Sequence, residues 1–184
     1  MPGKEEKIKL RKGKSKAFVF ANLTRENVFP CAEKLIDLLV KNKVETYMVP
    51  EAKENISASG VNFSEPEKAL PEVDIVFIIG GDGTILEAAR RAAEKQIKIL
   101  GINLGRVGYM AELELYELDM LSKLFEGDYK VEERSMLSVE IISSKSKKTV
   151  SKITADFFIL PPLIQKHSYK TFLLYVVSSH NIPN

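Results

Sequence analysis

One carboxylate sits among three glycines in the run Gly80–Gly81–Asp82–Gly83–Thr84. Glycine permits backbone angles that side chains forbid and lets a ligand approach the main chain. The next residues, Ile85 to Ala93, form a strong helix-forming run. The turn therefore opens a helix whose free N–H groups and dipole favour an anion, with Thr84 expected at the N-cap. A carboxylate in that turn would repel a phosphate unless a metal ion or a hydroxyl lies between them. The pattern points to Asp82 handling a hydroxyl or Mg²⁺ while the backbone of the turn handles phosphate. The plainer alternative is an ordinary strand-to-helix turn, since Asp and Gly are common turn residues.

A second glycine-punctuated stretch runs from Asn103 to Glu112 and carries Asn103, Arg106 and Tyr109. Arg106 can pair with phosphate, or lock its loop by an ion pair to Glu112 or Asp82. Tyr109 can stack on a nucleobase or fill core. Neither choice is settled by spacing.

The elements around these stretches alternate. Ala17–Asn22 reads as a strand, with Asn22–Arg25 as the loop at its end, and Val28–Asn42 has the apolar spacing of a helix. Val44–Val49 reads as the next strand. Residues 50–72 are polar with three prolines, and are expected to be a mobile flap or to hold a short helix. Asp74–Ile79 is apolar at nearly every position, as a strand covered on both faces must be. Its helix is expected to reach about Lys95, and Ile97–Ile102 is the following strand. This alternation predicts α/β architecture, a doubly wound parallel sheet, with ligands beyond the carboxyl ends of its strands. Leu115–Phe125 reads as an amphipathic helix stopped at Gly127. From residue 131 the pattern changes to hairpins: Val131–Ile142, a polar turn at Ser143–Lys148, then Val150–Leu160. Ser178–Ser179 reads as loop. The expected organisation is a basic tail at 1–16, a nucleotide-binding domain at 17–130 and an incomplete all-β second domain at 131–184.

Composition narrows the class. The chain has 184 residues, 45% of them hydrophobic, enough for one good-sized domain or one domain plus part of another. Residues 1–16 hold seven Lys or Arg against two Glu, yet the net charge is only +2, which does not call for nucleic acid. The one cysteine, Cys31, cannot form an internal disulfide, so a reducing cytoplasm is expected, with the thiol buried as a small apolar group. No apolar run approaches membrane-spanning length and the N-terminus lacks a secretory core. His167 and His180 have no partners at metal-ligand spacing.

With both glycine-rich stretches in place, the chain resembles the NAD kinase family. Gly80–Thr84 matches that family's Gly-Gly-Asp-Gly-Thr pattern. Leu100–Tyr109 matches its Leu-Gly-Ile-Asn-Leu-Gly-Arg-x-Gly-aromatic pattern, and Glu133–Leu137 resembles its entry into a second domain. Diacylglycerol and sphingosine kinases and phosphofructokinases carry relatives of the first motif; the second is the specific one. The resemblance covers roughly Ala17 to Ile142. It implies transfer of the terminal phosphoryl of ATP, or of polyphosphate, to the 2′-hydroxyl of the adenosine ribose of NAD, with Mg²⁺ required. It makes Asp82 the catalytic carboxylate and places Tyr109 in the nucleotide pocket. It also implies a homo-oligomer. The rival readings are a diacylglycerol-type lipid kinase and a nucleotide-binding remnant without activity.

The chain also departs from the family. An Asn-Asp or Asn-Glu pair that holds ribose is expected after residue 137, but residues 153–159 read Ile-Thr-Ala-Asp-Phe-Phe-Ile, leaving Asp156 as the candidate acid. The segment from Leu160 to Asn184 does not follow the family, and an altered reading frame near residue 155 is one expectation. Glu87, placed by this reading on the helix's first turn, would not help bind ATP phosphates.

Overall fold

A computed structural model describes residues 15–93, 95–104, 110–142, 149–155 and 173–180, with side chains through Glu132. Its frame is a parallel sheet. Strand β1 is Lys16–Ala21, β2 is Glu45–Met48, β3 is Val61–Phe63, β4 is Ile75–Gly80 and β5 is Lys98–Asn103. Two-residue β6, Leu113–Glu114, pairs in parallel with the end of β5. Between them lie helices α1 (Val28–Lys41), α2 (Pro66–Ala69) and α3 (Asp82–Ala93); α4 (Ser122–Glu126) follows β6. Strands β7 (Lys130–Ile142), β8 (Thr149–Ala155) and β9 (Leu173–His180) complete the described elements. The sheet order is β3-β2-β1-β4-β5-β9-β7-β8.

The apolar run of β4 is explained by cover on both faces. All six of its residues are buried. Ile75, Phe77 and Ile79 join the core under α1, while Val76 and Ile78 join the core under α3. Strand β1 divides the same way, with Ala17 and Val19 on one face and Phe18 on the other. Helix α1 buries Val28, Cys31, Ala32, Leu35, Ile36 and Leu39, one stripe at helical spacing. Helix α3 buries Ile85 and four alanines, Ala88, Ala89, Ala92 and Ala93. Those small side chains let α3 lie close to the sheet, and Leu35→Ala on the opposite face would cost about 2–5 kcal/mol. Helices on both sides of a parallel sheet are the doubly wound arrangement.

Several expectations shift. The first strand is Lys16–Ala21 rather than 17–22, so Lys16 belongs to the sheet and not to the basic tail. Residues 50–72 do hold a short helix, α2. They also hold strand β3 and two 3₁₀ turns, Pro50–Ala52 and Leu70–Glu72. Strand β3 is only three residues long at the sheet edge, too short to alternate visibly. The expected helix over 115–125 is a 3₁₀ segment, Leu115–Leu121, running into α4. Gly127 does end it, at φ 79°, a left-handed angle where a side chain would be strained. Ser178–Ser179 lie within β9, not in a loop. The 143–148 turn and residues 156–172 lie outside the described residues.

Candidate functional site

Strand order places the crevice. From β1 the chain moves outward to β2 and β3, then returns to put β4 on the other side of β1. The loops leaving β1 and β4 therefore part in opposite directions at their carboxyl ends, which is where open α/β sheets take ligands. The backbone ties these ends together. Asn22 N–H donates to Ile79 C=O at 3.0 Å, and Leu104 N–H donates to Gly80 C=O at 3.2 Å. In the sheet register Gly80 stands opposite Asn103. Gly80, Gly81, Asp82, Gly83, Thr84 and Asn103 are thus one neighbourhood.

The turn itself differs from expectation in one respect. Gly81 C=O accepts from both Thr84 N–H, at 2.9 Å, and Ile85 N–H, at 3.1 Å. The helix therefore begins at Asp82, and Thr84 lies inside its first turn instead of capping it. Glu87 consequently moves to the second turn, where it pairs with Arg91 at 3.3 Å. None of the turn's glycines has a positive φ; the positive-φ glycines among the described residues are Gly60 and Gly127. Space is what Gly80 provides. A Cβ there would stand 2.5 Å from Thr84 Oγ1 and 2.7 Å from Thr84 Cβ. At Gly83 a Cβ would meet nothing within 4 Å.

Asp82 is half-buried at the start of α3. Its Oδ1 accepts a hydrogen bond from Met110 N–H at 3.2 Å. That contact reaches across from the segment joining β5 to β6, which also returns to the sheet through Glu112 N–H donating to Gly101 C=O at 3.1 Å. Gly101 permits the return, since a Cβ on it would lie 2.8 Å from Ile85 Cδ1 and 3.1 Å from Ala111 Cα. Asn103 is 1% exposed, and its amide Nδ2 donates to both oxygens of Glu114, at 3.1 and 3.2 Å. Glu114 N–H in turn donates to Glu117 Oε2 at 3.1 Å. The end of β5, strand β6 and the start of the 3₁₀ turn are thus tied together by Asn103, Glu114 and Glu117.

Among the described residues no group of three His, Cys, Asp or Glu side chains could hold a metal ion. Asp82 offers one carboxylate, which suits Mg²⁺ carried on phosphates rather than a protein-built cage. Arg106 and Tyr109 lie outside the described residues, as does Asp156. Cys31 is fully buried in α1, and burial pushes its thiol up to about 11. No helix among the described residues is long and apolar enough to cross a membrane.

Sequence reasoning passed over Glu114, Met110 and Arg25 as site residues. Glu114 shows no motif signal; its role comes from the parallel pairing of β6 with β5. Met110 contributes only its backbone. Arg25 lies in the loop after β1, whose position beyond a strand end was the available signal.

Comparison with known proteins gives the family of the chain. The family profile described as ATP-NAD kinase N-terminal domain matches residues 17–129. An NAD kinase from Natranaerobius thermophilus is 32% identical over 140 residues, covering 75% of this chain and 48% of that protein. An NAD kinase from Carboxydothermus hydrogenoformans is 46% identical over 82 residues, 44% of this chain and 29% of that one. The chain spans about half the length, or less, of the curated relatives it matches. The crystal structure of yeast NADH kinase complexed with NADH superposes with a TM-score of 0.62 at 18% identity. It covers 76% of this chain and 45% of that chain, a likeness of fold. With the doubly wound sheet, the Gly-Gly-Asp-Gly-Thr turn at its crevice and a profile match across most of the described residues, the chain belongs to the NAD kinase family.

Proposed function

We propose that this chain carries the nucleotide-binding half of an NAD kinase, which moves the terminal phosphoryl of ATP, or of polyphosphate, to the 2′-hydroxyl of the adenosine ribose of NAD. The observation that supports this most is the Asp82 carboxylate at the mouth of the crevice, held by Met110 N–H at 3.2 Å. One oxygen of the carboxylate is thereby oriented by the backbone. The carboxylate accepts the hydroxyl proton as the ribose oxygen bonds to the terminal phosphorus and the bond to the leaving phosphate breaks. The start of α3, where the positive end of the helix dipole lies, meets phosphate oxygens. Gly80 and Gly81 keep that approach open, with Gly83 and Thr84 contributing further contacts. Mg²⁺ would neutralise phosphate charge, with Asp82 the described carboxylate placed to reach it.

Asn103 serves this site by holding the end of β5 to β6 through Glu114. Arg106 on donor phosphate, Tyr109 against the nucleobase and Asp156 on ribose complete the reading, on sequence pattern alone. In the same reading residues 131–184 begin a second domain, and the enzyme is a cytoplasmic homo-oligomer without nucleic-acid or membrane partners. NADP formation from NAD, ATP and Mg²⁺ by the purified chain, lost in Asp82→Asn, is the expected result. Nucleotide binding without turnover in either protein would instead favour a binding remnant. Lipid phosphorylation without NADP would favour the diacylglycerol-type reading.

A further inference from the structure

The loop after β1 brings a cation to the same crevice. Its backbone is tied to β4 and then turns on itself. Asn22 N–H is bonded to β4, and Arg25 N–H donates to Asn22 C=O at 3.0 Å. Asn22 Oδ1 accepts from Thr24 N–H at 3.2 Å and from Thr24 Oγ1 at 2.7 Å, a side-chain turn that sets the direction in which Arg25 leaves. The guanidinium then reaches over the glycine turn: a Cβ on Gly81 would come within 3.9 Å of Arg25 Nη2. Any larger side chain at 81 would crowd it. Among the described residues the Arg25 side chain makes no ion pair, whereas Lys16 and Arg91 are each paired with carboxylates. An exposed arginine at the crevice, with no carboxylate paired to it among the described residues, suits an anion such as phosphate that presents two oxygens to its fork.

We propose that Arg25 binds the phosphate chain of the phosphoryl donor, across Gly81 from Asp82. This rests on the kinase reading of the site and adds a residue to it. The donor's phosphates would lie between the guanidinium and the start of α3, with opposite charge on one side and helix N–H groups on the other. Asp82 then serves the acceptor hydroxyl, which removes the conflict of placing a carboxylate beside phosphate. Arginine rather than lysine is the fitting cation, because its fork holds an oxygen pair in one orientation.

The test is calorimetric binding of three probes to the full chain: Mg²⁺ with a non-hydrolysable ATP analogue, inorganic tripolyphosphate, and NAD. Wild type is compared with Arg25→Lys and Arg25→Met. Loss of the fork is expected to weaken both phosphate probes about tenfold or more in Arg25→Met, and less in Arg25→Lys, with NAD unchanged. Equal phosphate affinity in wild type and Arg25→Met would overturn the inference and leave the kinase reading standing. Equal weakening of all three probes would also overturn it, since the effect would then be general. Failure of wild type to bind any probe would remove the kinase reading, and this inference with it.

Discussion

The carboxylate of Asp82 and the backbone N–H of Met110 are 28 positions apart in sequence and 3.2 Å apart in space. The contact joins the start of α3 to the segment that follows β5. A side chain on one element is thus aimed by the main chain of another. Asp82→Asn keeps an oxygen that can accept from Met110 N–H and removes the charge. Its melting temperature is expected to stay within a few degrees of wild type. NADP formation should fall by about 10²–10⁴-fold, the range lost with a general base. Equal turnover by the two proteins would remove Asp82 from the chemistry.

The two glycines flanking Gly81 and Asp82 should behave differently. Gly80→Ala forces a Cβ to 2.5 Å from Thr84 Oγ1, so strand and helix must separate. A loss of about 1–3 kcal/mol in denaturant unfolding is expected. Gly83→Ala adds a Cβ that meets nothing within 4 Å, inside a helix. It should be neutral or stabilising by about 0.5–1 kcal/mol. Similar losses at both positions would contradict the packing account.

Asn103 and Glu114 offer a test with pH. The buried amide donates to both carboxylate oxygens. Asn103→Asp replaces the donor with a second acid about 3 Å from the first. Ionising both acids then sets two like charges side by side in a buried site, which costs the folded state. The penalty relative to wild type should be small in acid, where both are protonated, and grow as pH rises. Unfolding curves for both proteins at pH 4 and pH 7 would show this. A penalty independent of pH would mean that the amide acts through shape alone.

The thiol of Cys31 should be silent in the folded protein. Burial raises it to about 11, so thiolate is scarce at pH 8. Alkylation should be slow in native buffer and complete in denaturant. Because the folded pKa is raised, the thiol's stabilisation is fully present below the unfolded value and is lost as pH rises toward 11. Rapid native labelling would show that α1 opens readily.

At the opposite end of the sheet, Lys16 Nζ donates to Glu72 at 2.7 Å. The bond lowers the Glu72 carboxyl and raises the Lys16 ammonium. Its contribution is therefore lost as pH falls through the lowered Glu72 value, or rises through the raised Lys16 value. Both groups are exposed, so the effect should be small and weaken in salt. Thermal melts of Glu72→Gln across pH, with and without added salt, would reveal it as a narrow difference at neutral pH.

Much of this was legible in the chain itself. The strands around Val19, Phe77 and Leu100 announce themselves because a parallel strand covered on both faces must be apolar at successive positions. The Gly-Gly-Asp-Gly-Thr turn marks the end of β4, and Gly127 marks the end of α4, since local backbone demands are written in local residue types. Strand β3 and the 3₁₀ form of Leu115–Leu121 were hidden, because three residues show no period and a 3₁₀ segment spaces its apolar residues much as an α-helix does. The helix start at Asp82 rather than Thr84 followed from which carbonyl accepts the first N–H groups, a matter of one turn's geometry.

The sequence by itself determined the family, the alternating α/β order and the identity of Asp82 as the acid within the glycine turn. These depend on residue type and short-range spacing. Tertiary structure alone decided what surrounds that acid. Met110 N–H on Asp82, the Asn103–Glu114 pair and Arg25 over Gly81 join residues at or beyond the ends of different strands, and only the order and register of the sheet bring those ends together. No local pattern encodes a register. It is fixed when both faces of β1, β4 and β5 are buried at once, since a slip by one residue would turn each strand's side chains to the wrong core.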